Sequence, residues 1–419
     1  MSRSDRPAPL IYNLFPPLVG DVEKWLPHID RAADMSFNWC FINPIHLVGA
    51  SGSLYAVRDY FSLSPVFFPN ADPPAQRARF KRFVQEARAR GVEIMVDLVI
   101  NHTAYDNPLT RDHRDWYKLN PDGKIRSPGC KDDQAPGGWT TWGDLSEIDN
   151  QNSPDRKNLW EYWWKLVEMF LDCEVRGFRC DAAYQIPNDL WKMIIDRARQ
   201  RDSEVCFFAE TLGCTLDQVV GLSNAGHDFV FNSGKWWDYQ ADWFIQQNNE
   251  MTKKNCRSIC FPESHDTDRL VNEWRGDVDR IKQHYLFAAL ITSGVLAPLG
   301  FEYGFKKKLH VVKTLPHDYE GATYDLTDFL RQTNRLKKQY PLLSQDGILE
   351  NVPNGRGRVL TLIKKERDGN GRMLMVFNRS GDELSFGVGD FLKNIGARPL
   401  AAQQKELKLQ RYGFALMQL

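Results

Sequence analysis

Four apolar runs of strand length in this sequence end on ionisable or amide side chains, and that recurrence constrains the fold more than any other feature. Ile94–Ile100 runs into Asn101 and His102, Gly177–Cys180 into Asp181, Val205–Ala209 into Glu210, and the run from Cys260 leads to His265 and Asp266. Residues two apart in a strand share a face, so Arg179 points with Asp181 while Phe178 and Cys180 point the other way. A single Arg-x-Asp is most often an ion pair that orients a loop. Four strands that each deliver polar groups at the same end ask for another explanation. In a parallel β/α barrel the loops after the strands converge on one mouth, where active sites sit.

The rest of the chain fits this α/β plan. Leu10–Phe15 reads as a first strand, residues 22–35 as a helix and Trp39–Ile45 as a second strand. Phe80, Phe83, Val84 and Ala87 at helical spacing predict a helix over 74–90, with Asp72 near its start and Gly91 as its stop. Leu159, Trp160, Trp163, Leu166, Val167 and Phe170 predict another, capped by Ser153 and Pro154. Helices are also expected at 215–222, 281–291 and 324–339, and strands at 227–232 and from Gly294 onward. Between 103 and 152 a polar segment carrying Trp116, Tyr117, Trp139 and Trp142 holds no helical period, and loops this long inside a domain are usually functional. Short alternating runs at 358–363, 373–378 and 413–417 predict a small antiparallel β domain. The expected architecture is a (β/α)8 TIM barrel over residues 1–340, with a short inserted subdomain at 103–152 after strand 3. A β-sandwich-like C-terminal domain is expected over 341–419.

Composition excludes several function classes. Lysine plus arginine and aspartate plus glutamate number 54 each, so the net charge is zero and favours neither nucleic acid nor an anionic membrane. No stretch is long enough to span a bilayer. The first residues hold no apolar signal segment, so a cytoplasmic location is expected. Cys180, Cys206 and Cys260 lie in apolar strands, and Cys256 with Cys260 has the wrong spacing for a metal or redox pair, so reduced thiols are expected.

With these motifs in this order, the chain resembles the α-amylase family of glycoside hydrolases and transglycosylases. Asp97–His102 is similar to the family's first signature, Gly177–Asp181 to its second, Ala209-Glu210 to its third and His265-Asp266 to its fourth. The resemblance runs from about Ile11 to the 330s. In one place it departs, because Glu263 and Ser264 precede His265 where the family often has Asn.

The resemblance implies a retaining mechanism on α-glucosidic linkages of oligosaccharides or polysaccharides. Asp181 becomes the nucleophile that forms a covalent glycosyl-enzyme, Glu210 the acid that later acts as base, and Asp266 the carboxylate that holds sugar hydroxyls. Tyr55, four residues before Asp59 in the glycine- and serine-rich loop 49–60, stands where the family places a ring against the sugar. His102 and His265 stand where imidazoles hydrogen-bond that sugar, and Arg179 stands beside the nucleophile. An oxocarbenium-like transition state needs such a pair of carboxyls. Arg179 should keep Asp181 ionised, and burial at the end of Cys-Phe-Phe-Ala should hold Glu210 protonated.

No cofactor is expected. Asn101 stands where some members hold calcium, but the short insertion offers no acidic cluster of obvious spacing, so no metal is expected. Water or a second sugar as acceptor stays open. Trp236 and Trp237 directly follow a strand and suit either core packing or a sugar face. Lys306, Lys307, Lys308 and Lys313 follow the eighth strand, the usual phosphate-binding place in barrels, so a maltosyl-type transferase using a sugar phosphate is the alternative. A non-catalytic amylase-like binding protein fits less well, because all three carboxylates are present.

Overall fold

Eight parallel strands close into a barrel in which each pairs with its neighbours in sequence. They are β1 (Leu10–Leu14), β2 (Trp39–Ile42), β3 (Glu93–Leu98), β4 (Gly177–Cys180), β5 (Cys206–Glu210), β6 (Phe229–Phe231), β7 (Ser258–Cys260) and β8 (Gly294–Pro298), and β8 returns to β1. A helix follows each strand: α1 (Leu26–Asp34), α2 (Pro73–Ala89), α3 (Arg156–Asp172), α4 (Asn188–Arg201), α5 (Leu216–Ala225), α6 (Trp243–Lys253), α7 (Val278–Ile291) and α8 (Thr327–Gln339). The computed structural model describes residues 6–131, 136–239, 241–367, 369–388, 392 and 406–419.

The pleat sorts the strand side chains into two apolar layers. Ile11, Trp39, Phe41, Met95, Phe208, Phe229, Ile259 and Leu296 pack together inside the barrel. Their neighbours Leu10, Cys40, Ile94, Phe178, Phe207, Val230 and Val295 join the larger core beneath the helices. Toward the C-terminal ends of the strands the inner face turns polar: Ile11 gives way to Asn13, Phe41 to Asn43, Met95 to Asp97 and Phe208 to Glu210. Register aligns Arg179 with Asp97 on β3 and with Phe208 on β5. One end of the interior is therefore hydrocarbon and the other is the mouth of a site.

Six of the eight helices form close to where periodicity places them, α4 and α6 have no counterpart among the expectations, and the two most marked differences in the expected ones lie at their starts. The expected helix over 22–35 is split into a 3-10 turn at Val22–Lys24 and α1, which carries Pro27 in its first turn. Helix α3 begins at Arg156 with Asp155 at the cap position, so Ser153 and Pro154 do not cap it. The Ser153 hydroxyl instead donates to the Asp115 carbonyl at 2.8 Å and accepts from the Asp155 amide at 3.2 Å, tying the insertion down.

Among its described residues the insertion holds two antiparallel strand pairs, His102–Ala104 with Leu145–Glu147 and Gly129–Lys131 with Trp139–Thr141. Asn150 clamps it to the barrel, donating to the Ile100 carbonyl and accepting from the Trp163 indole, both at 2.8 Å.

After α8 come β9 (Ile348–Asn351), β10 (Val359–Lys365), β11 (Arg372–Asn378), β12 (Leu384–Phe386), β13 (Leu407–Leu409) and β14 (Phe414–Gln418). Strands β9, β10, β11 and β14 make an antiparallel sheet, and β12 pairs with β13. Strands β9, β12 and β13 are too short to carry a readable alternation in the sequence. One face of the larger sheet, with Leu360, Leu362, Met375 and Phe377, joins the barrel's core. The other, with Ile363, Leu374 and Val376, packs on Phe386, Leu407 and Leu409.

Gly177 opens β4 against the inner layer. A Cβ there would stand 2.6 Å from the Trp39 ring and 2.9 Å from the Met95 Cα. Gly177→Ala is expected to lower stability by about 1–3 kcal/mol, the usual range for overpacking a closed core. Denaturant midpoints check this, and an unchanged midpoint would mean that β4 has room to spare.

Candidate active site

Arg179 joins the acids of three strands. It is 6% exposed. Its Nη1 donates to Asp97 Oδ1 at 2.9 Å and to Asp181 Oδ1 at 2.5 Å, and Nη2 lies 3.9 Å from Glu210 Oε2. Arg179 and Asp181 meet because they are two residues apart at the end of β4, while β3 and β5 bring Asp97 and Glu210 in from either side.

Glu210 is held by two backbone amides, Ala182 on Oε2 at 2.8 Å and Leu212 on Oε1 at 3.1 Å. Ala182 adopts the left-handed conformation, φ 40° and ψ 44°, which is unfavourable for alanine and here turns its N–H toward Glu210. Burial pushes the Glu210 carboxyl up to about 7; Arg179 opposes that rise and Asp181 adds to it. Burial also raises Asp97.

A second cluster closes over the first from the loop 49–60. The Tyr55 hydroxyl donates to Asp97 Oδ2 at 2.8 Å and accepts from Asn43 Nδ2 at 3.1 Å. Asn43 in turn accepts from Asn13 Nδ2 at 2.9 Å. His265 Nε2 lies 2.8 Å from the same hydroxyl, and the two rings are nearly parallel, 8° apart with centroids at 5.9 Å. Tyr55 has one proton and gives it to Asp97, so His265 carries its hydrogen on Nε2. That nitrogen also lies 3.1 Å from Asp266 Oδ2. His102 Nε2 donates to the Tyr55 carbonyl at 3.1 Å, and its Nδ1 is buried with no partner among the described residues. Burial lowers the pKa of both imidazoles, which favours their neutral forms.

The structure thus brings Asp181, Glu210, Asp266, Tyr55, His102, Arg179 and His265 into one connected cluster. Both imidazoles spend Nε2 on protein partners in this arrangement. Asp59 braces its own loop, accepting from the Phe61 amide at 2.9 Å and the Ser62 hydroxyl at 2.6 Å. Glu263 points away from the cluster and forms a buried pair with Arg269 at 2.8 Å. Sequence reasoning gave Asp97 no role, and Asn13 and Asn43 were not singled out. Their signal is a polar residue on the inward register of an apolar strand.

Three other expectations are refined. Asn101 Oδ1 is buried with no hydrogen-bond partner among the described residues, where no group of three or more His, Cys, Asp or Glu suited to a metal occurs either. One amide oxygen does not fit calcium's need for six to eight oxygens. Trp237 is core and Trp236 is exposed. The lysine loop borders a cavity of about 390 Å³, yet Lys307 pairs with Asp318 at 2.9 Å and Lys308 with Asp268 at 3.2 Å.

A closed (β/α)8 barrel with a guanidinium-bridged carboxylate cluster at its C-terminal mouth is an enzyme architecture of the carboxylate-dependent kind. Residues 10–118 match the family model described as glycogen debranching enzyme, glucanotransferase domain. Over 86% of the chain it is 24% identical to the alpha-1,4-glucan:maltose-1-phosphate maltosyltransferase of Burkholderia pseudomallei, of which it spans 32%. Over 95% of the chain it is 23% identical to a cyclomaltodextrinase of Geobacillus thermopakistaniensis, of which it spans 70%. The α-amylase of Geobacillus thermoleovorans, solved with acarbose, superposes with a TM-score of 0.78 at 16% identity, covering 99% of both chains. The fold is thus that of solved α-amylases, and the sequence is similar to those of α-glucan-active enzymes.

The raised Glu210 pKa has a consequence for stability. A carboxyl near 4.5 when unfolded and about 7 when folded binds more protons in the native state between those values, so it costs stability as pH rises through them. Glu210→Gln removes that dependence. The stability of the variant relative to wild type should improve by up to roughly 1.4 kcal/mol per pH unit across this window and stay flat below about 4.5. Urea unfolding at pH 4, 5.5 and 7.5 checks it; a constant difference would mean that Glu210 titrates normally.

Proposed function

We propose that this protein is a retaining enzyme that cleaves α-glucosidic linkages of α-glucans or malto-oligosaccharides and passes the glycosyl unit to water or to another sugar. The observation that carries this is the arrangement of Asp181 and Glu210 about one guanidinium: Asp181 in direct contact with the charge, Glu210 largely shielded and hydrogen-bonded by two amides. Retention calls for about 5–5.5 Å between the two carboxyls. Glu210 protonates the leaving oxygen while Asp181 attacks the anomeric carbon, giving a glycosyl ester. The deprotonated Glu210 then takes the proton of the incoming hydroxyl as the ester bond breaks. In this assignment Asp266 and His265 hold hydroxyls of the donor sugar, Tyr55 faces its ring and His102 borders it.

We also propose that the chain divides into a barrel domain over 1–340, with 103–152 inserted, and a β domain over 341–419. The buried thiols of Cys40, Cys173, Cys180, Cys206 and Cys260 support a reducing compartment such as the cytoplasm.

Asp181→Asn should abolish turnover of any α-glucoside. Glu210→Gln should lose most activity on natural oligosaccharides but retain a share on activated aryl glycosides, whose leaving groups need no proton. Because Glu210 acts first as an acid, kcat/KM should fall as pH rises above about 7. Equal loss on both substrate classes, or a rate that climbs through pH 8, would remove Glu210 from the acid role.

A second reading, transfer from a sugar phosphate, draws on the maltosyltransferase relative and the cavity beside Lys307, Lys308 and Lys313. Lysine meets phosphate as a mobile point charge, so such transfer should weaken with added salt. If wild type prefers maltose 1-phosphate to maltotriose as donor and Lys306, Lys307 and Lys308 all changed to Ala abolishes the preference, the second reading replaces hydrolysis; no preference rejects it.

A further inference from the structure

Two buried amides feed the candidate site from the ends of neighbouring strands. Asn13 lies near the end of β1 and Asn43 directly after β2, and both are fully buried. Two residues earlier on the same strands, Ile11 and Phe41 fill the inner layer with hydrocarbon. Asn13 also leaves its Oδ1 buried with no partner among the described residues. A hydrocarbon side chain would avoid that cost, so packing alone does not account for the pair.

The bonds these amides make have a direction, and the backbone sets it. Strand pairing puts Asn13 opposite Phe41, whose carbonyl can only accept, and Asn13 Nδ2 donates to it at 3.1 Å. The Asn13 amide is oriented by that contact, and the same nitrogen donates to Asn43 Oδ1 at 2.9 Å. Pro44 follows Asn43 and restricts its backbone to extended conformations. With its oxygen turned to Asn13, Asn43 can offer only Nδ2 to the Tyr55 hydroxyl, at 3.1 Å. That hydroxyl is barred from giving its single proton to Asn43, and the proton goes at 2.8 Å to Asp97, the carboxylate that also holds Arg179. Burial pushes the Asp97 carboxyl up, and the hydrogen bonds from Arg179 and Tyr55 oppose that rise.

We propose that Asn13 and Asn43 are positioning residues for the donor sugar: they fix the direction of the Tyr55 hydroxyl and so hold the Tyr55 ring and the Asp97–Arg179 pair in one arrangement. This deepens the glycosidase reading and rests on it, because the ring and Arg179 serve a donor sugar only in that assignment. Tyr55 comes from a loop, whereas Asn13 and Asn43 belong to the ends of barrel strands. The relay passes the rigidity of the sheet to a side chain that the loop alone would leave free to turn. The main chain of Tyr55 has a tether of its own, the bond from His102 Nε2 to its carbonyl, so the amides govern the hydroxyl. Small misplacements of a group that orients a reacting sugar are costly in rate, which gives a fixed hydroxyl its value.

A double-mutant cycle tests the relay. Asn13→Leu keeps the size and neutrality of the side chain but removes the donor that orients Asn43, and Tyr55→Phe keeps the ring but removes the hydroxyl. With p-nitrophenyl α-maltoside as substrate, Asn13→Leu should lower kcat/KM by roughly tenfold in the wild-type background, the scale of one misdirected buried hydrogen bond. In the Tyr55→Phe background the same change should cost less than about twofold, because nothing remains for the relay to direct. Should Asn13→Leu fail to fold, Asn43→Leu in the same two backgrounds takes its place. An equal loss in both backgrounds overturns the proposal and makes the amides packing residues, and so does a wild-type rate in the single variant. Tyrosine labelled with 13C at Cζ gives a readout independent of turnover. The Tyr55 resonance, recognised as the one missing from Tyr55→Phe, should move in Asn13→Leu, although Asn13 bonds to Asn43 and not to Tyr55. Absence of nitrophenol release by wild type overturns the glycosidase reading instead, and the resonance then decides the relay: a shift keeps it and an unmoved line overturns it.

Discussion

The candidate site depends on one buried cation. Arg179 touches Asp97 and Asp181 and stands within 4 Å of Glu210, so a single positive charge faces three carboxyls in a space from which water is largely excluded. Removing one partner from such a pair leaves a buried charge uncompensated, at a cost of about 3–5 kcal/mol. The same guanidinium therefore supports folding and holds the candidate site together. It also creates an inequality, because it cannot serve three acids alike. Asp181 has the closest contact; Glu210 stands further off and leans on backbone amides, and burial keeps its proton near neutrality.

The inequality is inherited from the pleat. A strand that is hydrocarbon on both faces at its start and polar on its inner face at its end delivers polar groups to one layer without exposing the core. β3 does this with Met95 and Asp97, β4 with Gly177, Arg179 and Asp181, and β5 with Phe208 and Glu210. The strand register then decides which groups face each other.

Much of this was legible in the sequence because it is local. Alternation within Gly177–Asp181 placed Arg179 beside Asp181, and helical spacing located α2 from Phe80, Phe83, Val84 and Ala87. What could not be read depends on distant residues. Nothing near Asn43 in sequence reveals that it passes a hydrogen bond from Asn13 to Tyr55, nor that Asp97, between Val96 and Leu98 in an apolar run, is fastened to Arg179. The departure at Glu263 was visible, but its meaning needed Arg269. The lysine loop read as a free cluster of charge, because its partners Asp268 and Asp318 come from elsewhere along the chain.

The C-terminal sheet has two dressed faces, and one belongs to the barrel. Phe377 of β11 stacks on Phe287 of α7 with centroids 4.1 Å apart, Gln283 of α7 donates to the Asn378 carbonyl, and the buried Lys364 of β10 donates to the Leu290 carbonyl. Helix α7 is thus an internal interface on its outer side as well as a wall of the barrel on its inner side. A barrel of this kind is not a portable module: recombination with a different β domain would have to rematch α7 to its new cover, so the two parts are expected to vary together through evolution.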